Sequence, residues 1–458
     1  MKKIFLLFIP ALMLSCSKTE TPTEQTISGK LADKSITSIS LFPQFEGNPQ
    51  IIMIKNGQFS HPLKLDKPTT FMTKIGNERL NLFIDKGNSL VINQNKKADG
   101  YEVEFLGKDA AANEYLRKKI KLNSTTPRGR ELYLKTEKEF GEILANIKTK
   151  EMELLNNSNS IPSSFKKLEQ KHIQYTYLIG LLNFEGSYKY YTQNPDFKVS
   201  KEFAAIYEDI NLDYDMDLFS YSSNYRGFLQ NKSFLKAEKA VENGNKKLVE
   251  VLFLEYLKEI DNDEIRNWLA YDTSRFVIQS TSDLKEFFDA FSSVSTNQTH
   301  IEALKKEYEK LKPLMKGMPS PKFVNYENNA GGKTSLDDLQ GKYVYIDVWA
   351  TWCGPCIQEI PSLKKIEKQY HNKNIEFVSI SIDKMKDHPK WKKMIVDKSL
   401  GGTQLLADKE WQSKFIQDYR ISGIPRFILI DPKGNIVSHN APRPSNISLI
   451  NTFEELGI

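Results

Sequence analysis

Cysteine is scarce in this sequence, with three cysteines among 458 residues. A small scaffold held by several disulfides is therefore excluded, and so is a zinc site made of four thiolates. Charge of one sign is not concentrated either, because 64 basic and 58 acidic residues are spread along the chain and leave a net charge of +6. That distribution lacks the basic patch of a nucleic-acid-binding protein. What the three sulfur atoms do is consequently the main question.

Long apolar runs are also missing, since no stretch after the N-terminus reaches the length of a membrane-spanning helix. The chain is too long for one compact core, and at 40% hydrophobic residues it is too apolar for general disorder. We therefore predict a multidomain α+β protein with three parts. These parts are an N-terminal β domain over 26–106, a helical middle region over 107–314 and a C-terminal α/β domain over 315–458.

The first residues have the pattern of an export signal. Two lysines precede an apolar stretch at 4–14, which is too short for a permanent membrane span, and a serine and Cys16 follow. This junction resembles the lipobox of bacterial lipoproteins, in which the signal is cut before a cysteine that is then lipidated. The resemblance implies a signal peptide over 1–15, a lipidated tether over 16–25 and an extracytoplasmic, lipid-anchored protein of the cell envelope, at the periplasmic face or the outer membrane. An ordinary secretory signal with an incidental cysteine is the alternative.

The next two regions differ in the period of their apolar residues. Short apolar runs and turn signals predict an antiparallel β-sandwich over 26–106, with a tight turn at Asn56-Gly57. Over 107–314 the period becomes helical, as at Phe140, Leu144 and Ile147, and proline and glycine breakers suggest six to eight helices. The tyrosines between 175 and 191 either line a binding groove or belong to the hydrophobic core. This region contains no catalytic motif.

The remaining two cysteines lie in one short motif. A nearly continuous apolar run at 343–349 predicts a buried strand, and Trp-Cys-Gly-Pro-Cys follows at 352–356. Pro355 suits the first turn of a helix. The helix N-terminus favours the thiolate of Cys353, which predicts that Cys353 attacks a substrate disulfide and that Cys356, one turn later, resolves the mixed disulfide.

The region 315–458 resembles the thioredoxin-fold domain of TlpA/ResA-type exported thiol–disulfide oxidoreductases. Besides the motif at 352–356, Pro361 matches the helix-kinking proline of that family, and Ile424-Pro425 matches its cis-proline segment. The resemblance implies a thioredoxin-fold domain with a redox-active Cys353/Cys356 pair. It also implies a substrate-binding surface, whose residues are Trp352, Gly354, Pro355, Ile424, Pro425 and Arg426.

Two positions, Ser379 and Arg426, depart from the family pattern. Asp347 matches the buried acid that helps to deprotonate the resolving cysteine, and burial should raise its pKa. The lysine that pairs with this acid in cytosolic thioredoxins is replaced by Ser379, which leaves the role of Asp347 open. Arg426 replaces the usual threonine after the cis-proline and suggests a preference for acidic substrates.

Half a zinc site and a structural disulfide are the other interpretations of Cys353 and Cys356. A zinc site needs two further ligands, and the six histidines are scattered. A disulfide that closes two intervening residues adds little loop entropy. We therefore favour redox chemistry.

The sequence thus predicts an extracytoplasmic thiol–disulfide oxidoreductase with protein disulfides as substrates and no metal or organic cofactor. The Gly-Pro dipeptide between the cysteines resembles that of reducing thioredoxins, which implies a reductase. A reductase in an oxidising compartment needs electrons, which suggests a CcdA- or DsbD-like membrane donor. Nucleic acid is not an expected partner. Two alternatives remain open: a disulfide oxidase or isomerase on the same site, and an envelope ligand-binding lipoprotein with a subordinate redox domain.

Overall fold

The computed structural model describes residues 25–458, so Cys16 and the predicted signal peptide lie outside the described residues. The chain divides into two compact units, Met1–Lys232 and Ser233–Ile458. None of the helices within the described part of the chain is long and apolar enough to cross a membrane.

The first unit begins with eight strands in two four-stranded sheets, of order β4-β1-β7-β8 and β3-β2-β5-β6. The strands are β1 (Thr26–Lys30), β2 (Ser38–Pro43), β3 (Gln50–Met53), β4 (Gln58–Pro62), β5 (Thr69–Ile75), β6 (Glu78–Ile84), β7 (Leu90–Lys97) and β8 (Gly100–Leu106). Alternate residues of both sheets, among them Leu41, Leu82 and Ile92, form one buried apolar core.

One strand pair differs from the predicted antiparallel sandwich. β1 and β7 run parallel, with Ile27 opposite Leu90, so the prediction is wrong for this pair. No tight turn joins these two strands, and the sequence therefore carries no local signal for their direction. The tight turn at Asn56-Gly57 is confirmed, because both residues have positive φ and the flanking residues pair across the turn. The turn connects strands that belong to different sheets.

Twelve α-helices follow within the described residues, more than the six to eight that the sequence suggests. They are α1 (Ala110–Leu122), α2 (Arg130–Tyr133), α3 (Glu137–Asn156), α4 (Ser163–Leu182), α5 (Phe184–Thr192), α6 (Lys201–Glu208), α7 (Met216–Tyr221), α8 (Ser223–Glu242), α9 (Val249–Leu257), α10 (Asp263–Val277), α11 (Leu284–Val294) and α12 (Gln298–Leu311). Several begin at a side-chain cap rather than after proline or glycine, as at Asp215, Asn262 and Asp283. Such caps satisfy the free N–H groups of a first turn. The division between the two units falls inside α8.

The rest of the second unit is a seven-stranded sheet of order β10-β9-β13-β12-β11-β14-β15 with four helices. The elements are β9 (Tyr326–Asn328), β10 (Lys333–Thr334), β11 (Tyr343–Trp349), α13 (Gly354–Tyr370), β12 (Ile375–Ser381), α14 (His388–Lys398), β13 (Thr403–Leu406), α15 (Lys414–Asp418), β14 (Arg426–Ile430), β15 (Ile436–Ser438) and α16 (Ser448–Glu455). β11, β12 and β13 are parallel, and β14 is antiparallel to β11. β11 is central and almost wholly buried, as its apolar sequence predicts.

Candidate active site

The two cysteines lie where the central strand β11 passes into helix α13. Cys353 is the N-cap of α13, and its Sγ accepts a hydrogen bond from the backbone N–H of Cys356 at 3.1 Å. Pro355 occupies the first turn, where a missing N–H group costs the helix nothing. Cys353 and Cys356 form a disulfide, with their Cα atoms 5.3 Å apart. A sulfur atom at this position faces the positive end of the helix dipole.

The motif has a buried side and an exposed side. Cys353 and Cys356 are 4% and 5% exposed in the disulfide form, whereas Trp352 is 53% exposed. Gly354 and Pro355 are exposed as well. The outer surface of the motif is thus made by the residues that flank the sulfur atoms.

A small cavity lies behind Cys356. It has a volume of about 20 Å³, and Asp347, Cys356, Glu367, Gln404 and Pro425 are among the residues that line it. A cavity of this size can hold about one water molecule. The structure therefore brings the predicted acid, the predicted resolving cysteine and the predicted cis-proline to one space.

Asp347 is an acid inside a sheet. Its side chain lies on β11 and the residue is 9% exposed. Burial raises the pKa of Asp347 to about 7, a hydrogen bond from Ser379 opposes this rise, and the charge of Glu367 adds to it. A carboxyl group with a pKa near neutrality can both accept and release a proton at the pH of most compartments.

The chain segment opposite the cysteines carries the cis peptide bond, between Ile424 and Pro425. Ile424, Pro425 and Arg426 are each partly buried. The guanidinium of Arg426 donates to the backbone carbonyl of Gln279 at 3.4 Å, within the second unit. The Arg426 side chain is thus directed at the chain between α10 and α11.

Sequence reasoning missed a buried acid that braces the motif. Asp383, 1% exposed, accepts hydrogen bonds from the backbone N–H and the hydroxyl of Thr351 and from the hydroxyl of Ser381. Thr351 directly precedes Trp352, so these bonds fix the turn that leads into the motif. The available signal in the sequence was a carboxylate two residues after the apolar strand β12.

A second missed acid lies one helical turn after Cys356. The carboxylate of Glu359 accepts from the backbone N–H of Ser445 at 3.1 Å and from its hydroxyl at 2.9 Å. These bonds attach α13 to the loop before α16. Pro361 follows inside the helix, at the position that the sequence resemblance indicates.

The C-terminal part of the chain is similar to known proteins. The redoxin family model matches residues 315–452. The thioredoxin-like protein YneN of Bacillus subtilis (strain 168) is 31% identical over 123 residues, which cover 27% of this chain and 69% of YneN. The thiol-disulfide oxidoreductase ResA of the same strain is 28% identical over 126 residues, which cover 27% of this chain and 66% of ResA. The chain thus spans about two thirds of the length of these relatives.

Two solved structures resemble part of this chain. The thioredoxin domain of a thiol-disulfide oxidoreductase from Bacteroides vulgatus is 32% identical and covers 31% of this chain and 98% of its own, with a TM-score of 0.28. A thiol:disulfide interchange protein from Bacteroides sp. is 31% identical and covers 31% of this chain and 90% of its own, also with a TM-score of 0.28.

A sheet of this order with a Cys-Gly-Pro-Cys pair at the start of a helix defines a thioredoxin-fold redox protein. Its relatives make the assignment more specific. The chain belongs to the TlpA/ResA-type thiol–disulfide oxidoreductases and is an enzyme of that class.

Proposed function

We propose that this enzyme reduces disulfide bonds in proteins outside the cytoplasm, through a mixed disulfide on Cys353. The observation that carries the proposal is the asymmetry of the pair. Cys353 caps α13, where the helix N-terminus stabilises a thiolate, whereas Cys356 lies beside the cavity that contains Asp347. One sulfur is thus suited to attack and the other to proton transfer.

The reaction has two displacement steps. The Cys353 thiolate attacks one sulfur of a substrate disulfide, a new S–S bond forms, and the other substrate sulfur leaves as a thiolate. Cys356 then gives its proton to the carboxylate of Asp347. The Cys356 thiolate attacks the Sγ of Cys353, the mixed disulfide breaks, and the second substrate thiolate leaves. The substrate gains two electrons, and the enzyme ends with the disulfide of the structure.

The substrate surface in this proposal consists of exposed motif residues and the cis-proline segment. Trp352, Gly354 and Pro355 would contact the chain around the substrate disulfide. The backbone of Ile424 and Pro425 would pair with an extended substrate segment, as in β-strand addition. Because its guanidinium already donates to a carbonyl within the unit, Arg426 would contribute to an acidic preference only through its long-range charge.

The location and the electron donor also belong to the proposal. The N-terminal pattern supports export, with Cys16 as the lipid attachment site at the cell envelope. A reductase in an oxidising compartment must be reduced again after each turnover, and a CcdA- or DsbD-like membrane protein would supply the electrons.

Trapping with Cys356→Ser tests the mechanism. This variant cannot resolve a mixed disulfide, so we expect covalent complexes with envelope proteins that disappear on treatment with dithiothreitol. The matched control is Cys353→Ser, which retains a single thiol at the buried position and should trap nothing. Equal trapping by both variants would contradict the assignment of Cys353 as the nucleophile.

The reduction potential tests the direction. Equilibration of the purified protein with glutathione buffers should give a value near that of reducing thioredoxins, about −270 mV. A value near −120 mV, which is typical of strong disulfide oxidants, would replace the reductase proposal by an oxidase on the same residues.

A further inference from the structure

Polar side chains form a row across the buried sheet, beginning at Asp347. In the parallel register, Asp347 of β11 lies opposite Ser379 of β12, and Ser379 lies opposite Gln404 of β13. Directly opposite residues of neighbouring strands point to the same face of a sheet. All three are at least 91% buried. Burying three neighbouring polar side chains in an apolar sheet interior does not stabilise the fold, so stability does not account for this row.

A second carboxyl group, that of Glu367 on α13, lies at the end of this row. Glu367 is partly exposed and lines the same cavity as Asp347, Ser379 and Gln404. A Cβ atom at Gly401 would lie 2.6 Å from Oε2 of Glu367, so the glycine leaves room that the carboxyl group occupies. The row therefore begins beside Cys356 and ends at a group in contact with solvent.

When both carboxyl groups are ionised, the row contains more hydrogen-bond acceptors than it has donors to satisfy them. Among the described residues, Oε1 of Gln404 is buried and has no hydrogen-bond partner, although its Nε2 donates to the carbonyl of Gly401 at 2.7 Å. The carboxylates of Asp347 and Glu367 are acceptors only when ionised. A proton held by either carboxyl group, or a water molecule in the cavity, supplies the missing donor.

We propose that Glu367 is the solvent end of a proton path that connects Asp347 with bulk water through the cavity lined by Ser379 and Gln404. The inference rests on the proposed function, because it concerns the proton that Cys356 releases. Glu367 acts through Asp347 and is a positioning residue rather than a group that touches the substrate.

The path accounts for the proton that Cys356 loses in the resolving step. The Sγ–H bond of Cys356 breaks and its proton goes to the carboxylate of Asp347. Asp347 then passes a proton to Glu367, and Glu367 releases one to water, so both carboxyl groups return to their starting state. During reduction of the enzyme the same steps run in reverse, because the departing Cys356 thiolate must gain a proton.

The charges around Glu367 are consistent with such a role. Burial raises the pKa of Glu367 to about 7, and the neighbouring Lys364 opposes this rise. The ammonium of Lys364 donates to the carbonyl of Lys398 at 2.9 Å. The other charged residues that line the cavity are Asp347 on β11 and Glu359 on α13, and the Glu359 carboxylate is bonded to Ser445. The pKa values of Asp347 and Glu367 are thus matched near 7, which favours proton exchange between them.

The test uses the full chain and measures the rate at which dithiothreitol reduces the Cys353–Cys356 disulfide. Tryptophan fluorescence monitors this reduction at several pH values between 5.5 and 9. Glu367→Gln keeps the shape of the side chain and removes its proton exchange. We expect the rate at pH 7.5 to fall about tenfold, which is less than the roughly 10²-fold or more contributed by a group that exchanges the proton directly, because Glu367 acts through Asp347. Imidazole, a diffusible proton carrier, should restore the rate of the variant and leave the wild type unchanged. Glu367→Asp should retain part of the activity.

The controls keep the test independent of folding and of the substrate. Glu455→Gln makes the same chemical change at an exposed residue and should behave as the wild type. Gly401→Ala leaves Glu367 in the chain but displaces its carboxyl group, and it should reproduce the loss if far-UV circular dichroism shows a native fold. Equal rates for Glu367→Gln and Glu455→Gln at every pH, or no effect of imidazole, would overturn the proton path. No protein substrate is used, so a failure to reduce protein disulfides would count against the proposed function alone.

Discussion

At the scale of single residues, Asp347 combines its proposed role in proton transfer with a cost in stability. Its carboxyl group has a pKa near 7 in the folded chain and an ordinary value near 3.8 when unfolded. Between these values the folded state binds more protons, so the free energy of unfolding falls as the pH rises from about 4 to 7, by at most about 4 kcal/mol.

Asp347→Asn cannot ionise, so we expect it to remove this pH dependence. The oxidised variant should unfold at a higher temperature than the wild type at pH 8, and the difference should shrink toward pH 4. Thermal unfolding at several pH values measures the effect. A difference that does not change with pH would contradict the assigned pKa.

Asp383 illustrates a residue whose importance lies in its hydrogen bonds. Asp383→Ala leaves the backbone N–H and the hydroxyl of Thr351 without their acceptor, which should cost about 1–3 kcal/mol in urea unfolding. The matched control is Asp397→Ala, because Asp397 forms an exposed ion pair with Lys393 and should change little. Equal unfolding midpoints for the two variants would refute the bracing role.

At the scale of elements, a buried ion network joins the helices of the first unit. Lys119 of α1 lies 2.7 Å from Glu169 of α4 and 3.2 Å from Glu151 of α3. Hydroxyls of Tyr115 and Tyr221 also donate to Glu169. Burial opposes ionisation of Lys119 and Glu169, yet their mutual attraction raises the pKa of Lys119 and lowers that of Glu169.

Removing the cation should therefore destabilise these helices strongly. Lys119→Met leaves two buried carboxylates without a neighbouring cation. We expect the free energy of unfolding to fall by about 3–5 kcal/mol, measured by chemical denaturation with circular dichroism as the readout. Lys285→Met, in which the lost partner is the exposed Asp289, serves as the control and should have no measurable effect. A loss as small as that of the control would mean that the network is energetically neutral.

The elements also show what the sequence can and cannot predict. Residues 352–356 carry their signal within five consecutive positions, so the position of the cysteines at a helix start follows directly. Ser379 and Gln404 meet at the cavity only because β12 and β13 pair in one register, which no local pattern reveals. The parallel direction of β1 and β7 is missed for the same reason.

At the scale of the whole molecule, each unit contains a histidine whose protonation is disfavoured by its surroundings, the partly buried His172 and the buried His439. Burial, assisted by Lys119, lowers the pKa of His172 to about 4. Burial, assisted by Arg426, lowers the pKa of His439 to about 4. An unfolded histidine titrates near 6.5, so between pH 6.5 and 4 the unfolded chain binds more protons and stability falls as the pH falls.

We therefore expect acid-sensitive unfolding, with a loss of about 2 kcal/mol per histidine between pH 7 and 5. Thermal unfolding at both pH values measures it, and His172→Gln should reduce the drop. The titration of Asp347 has the opposite slope in this range, so the effect should be clearest in the Asp347→Asn background. An identical drop with and without His172 would show that this side chain is protonated in the folded state.

The contacts between the helices of the second unit and the segment near the cis-proline are made to main-chain atoms. Arg426 donates to the carbonyl of Gln279, and Nδ2 of Asn440 donates to the carbonyl of Ser280 at 3.1 Å. Every amino acid supplies a carbonyl oxygen. This contact itself therefore places no requirement on the side chains at 279 and 280, whereas it needs the donors of Arg426 and Asn440, so substitutions compatible with it should accumulate on the helical side.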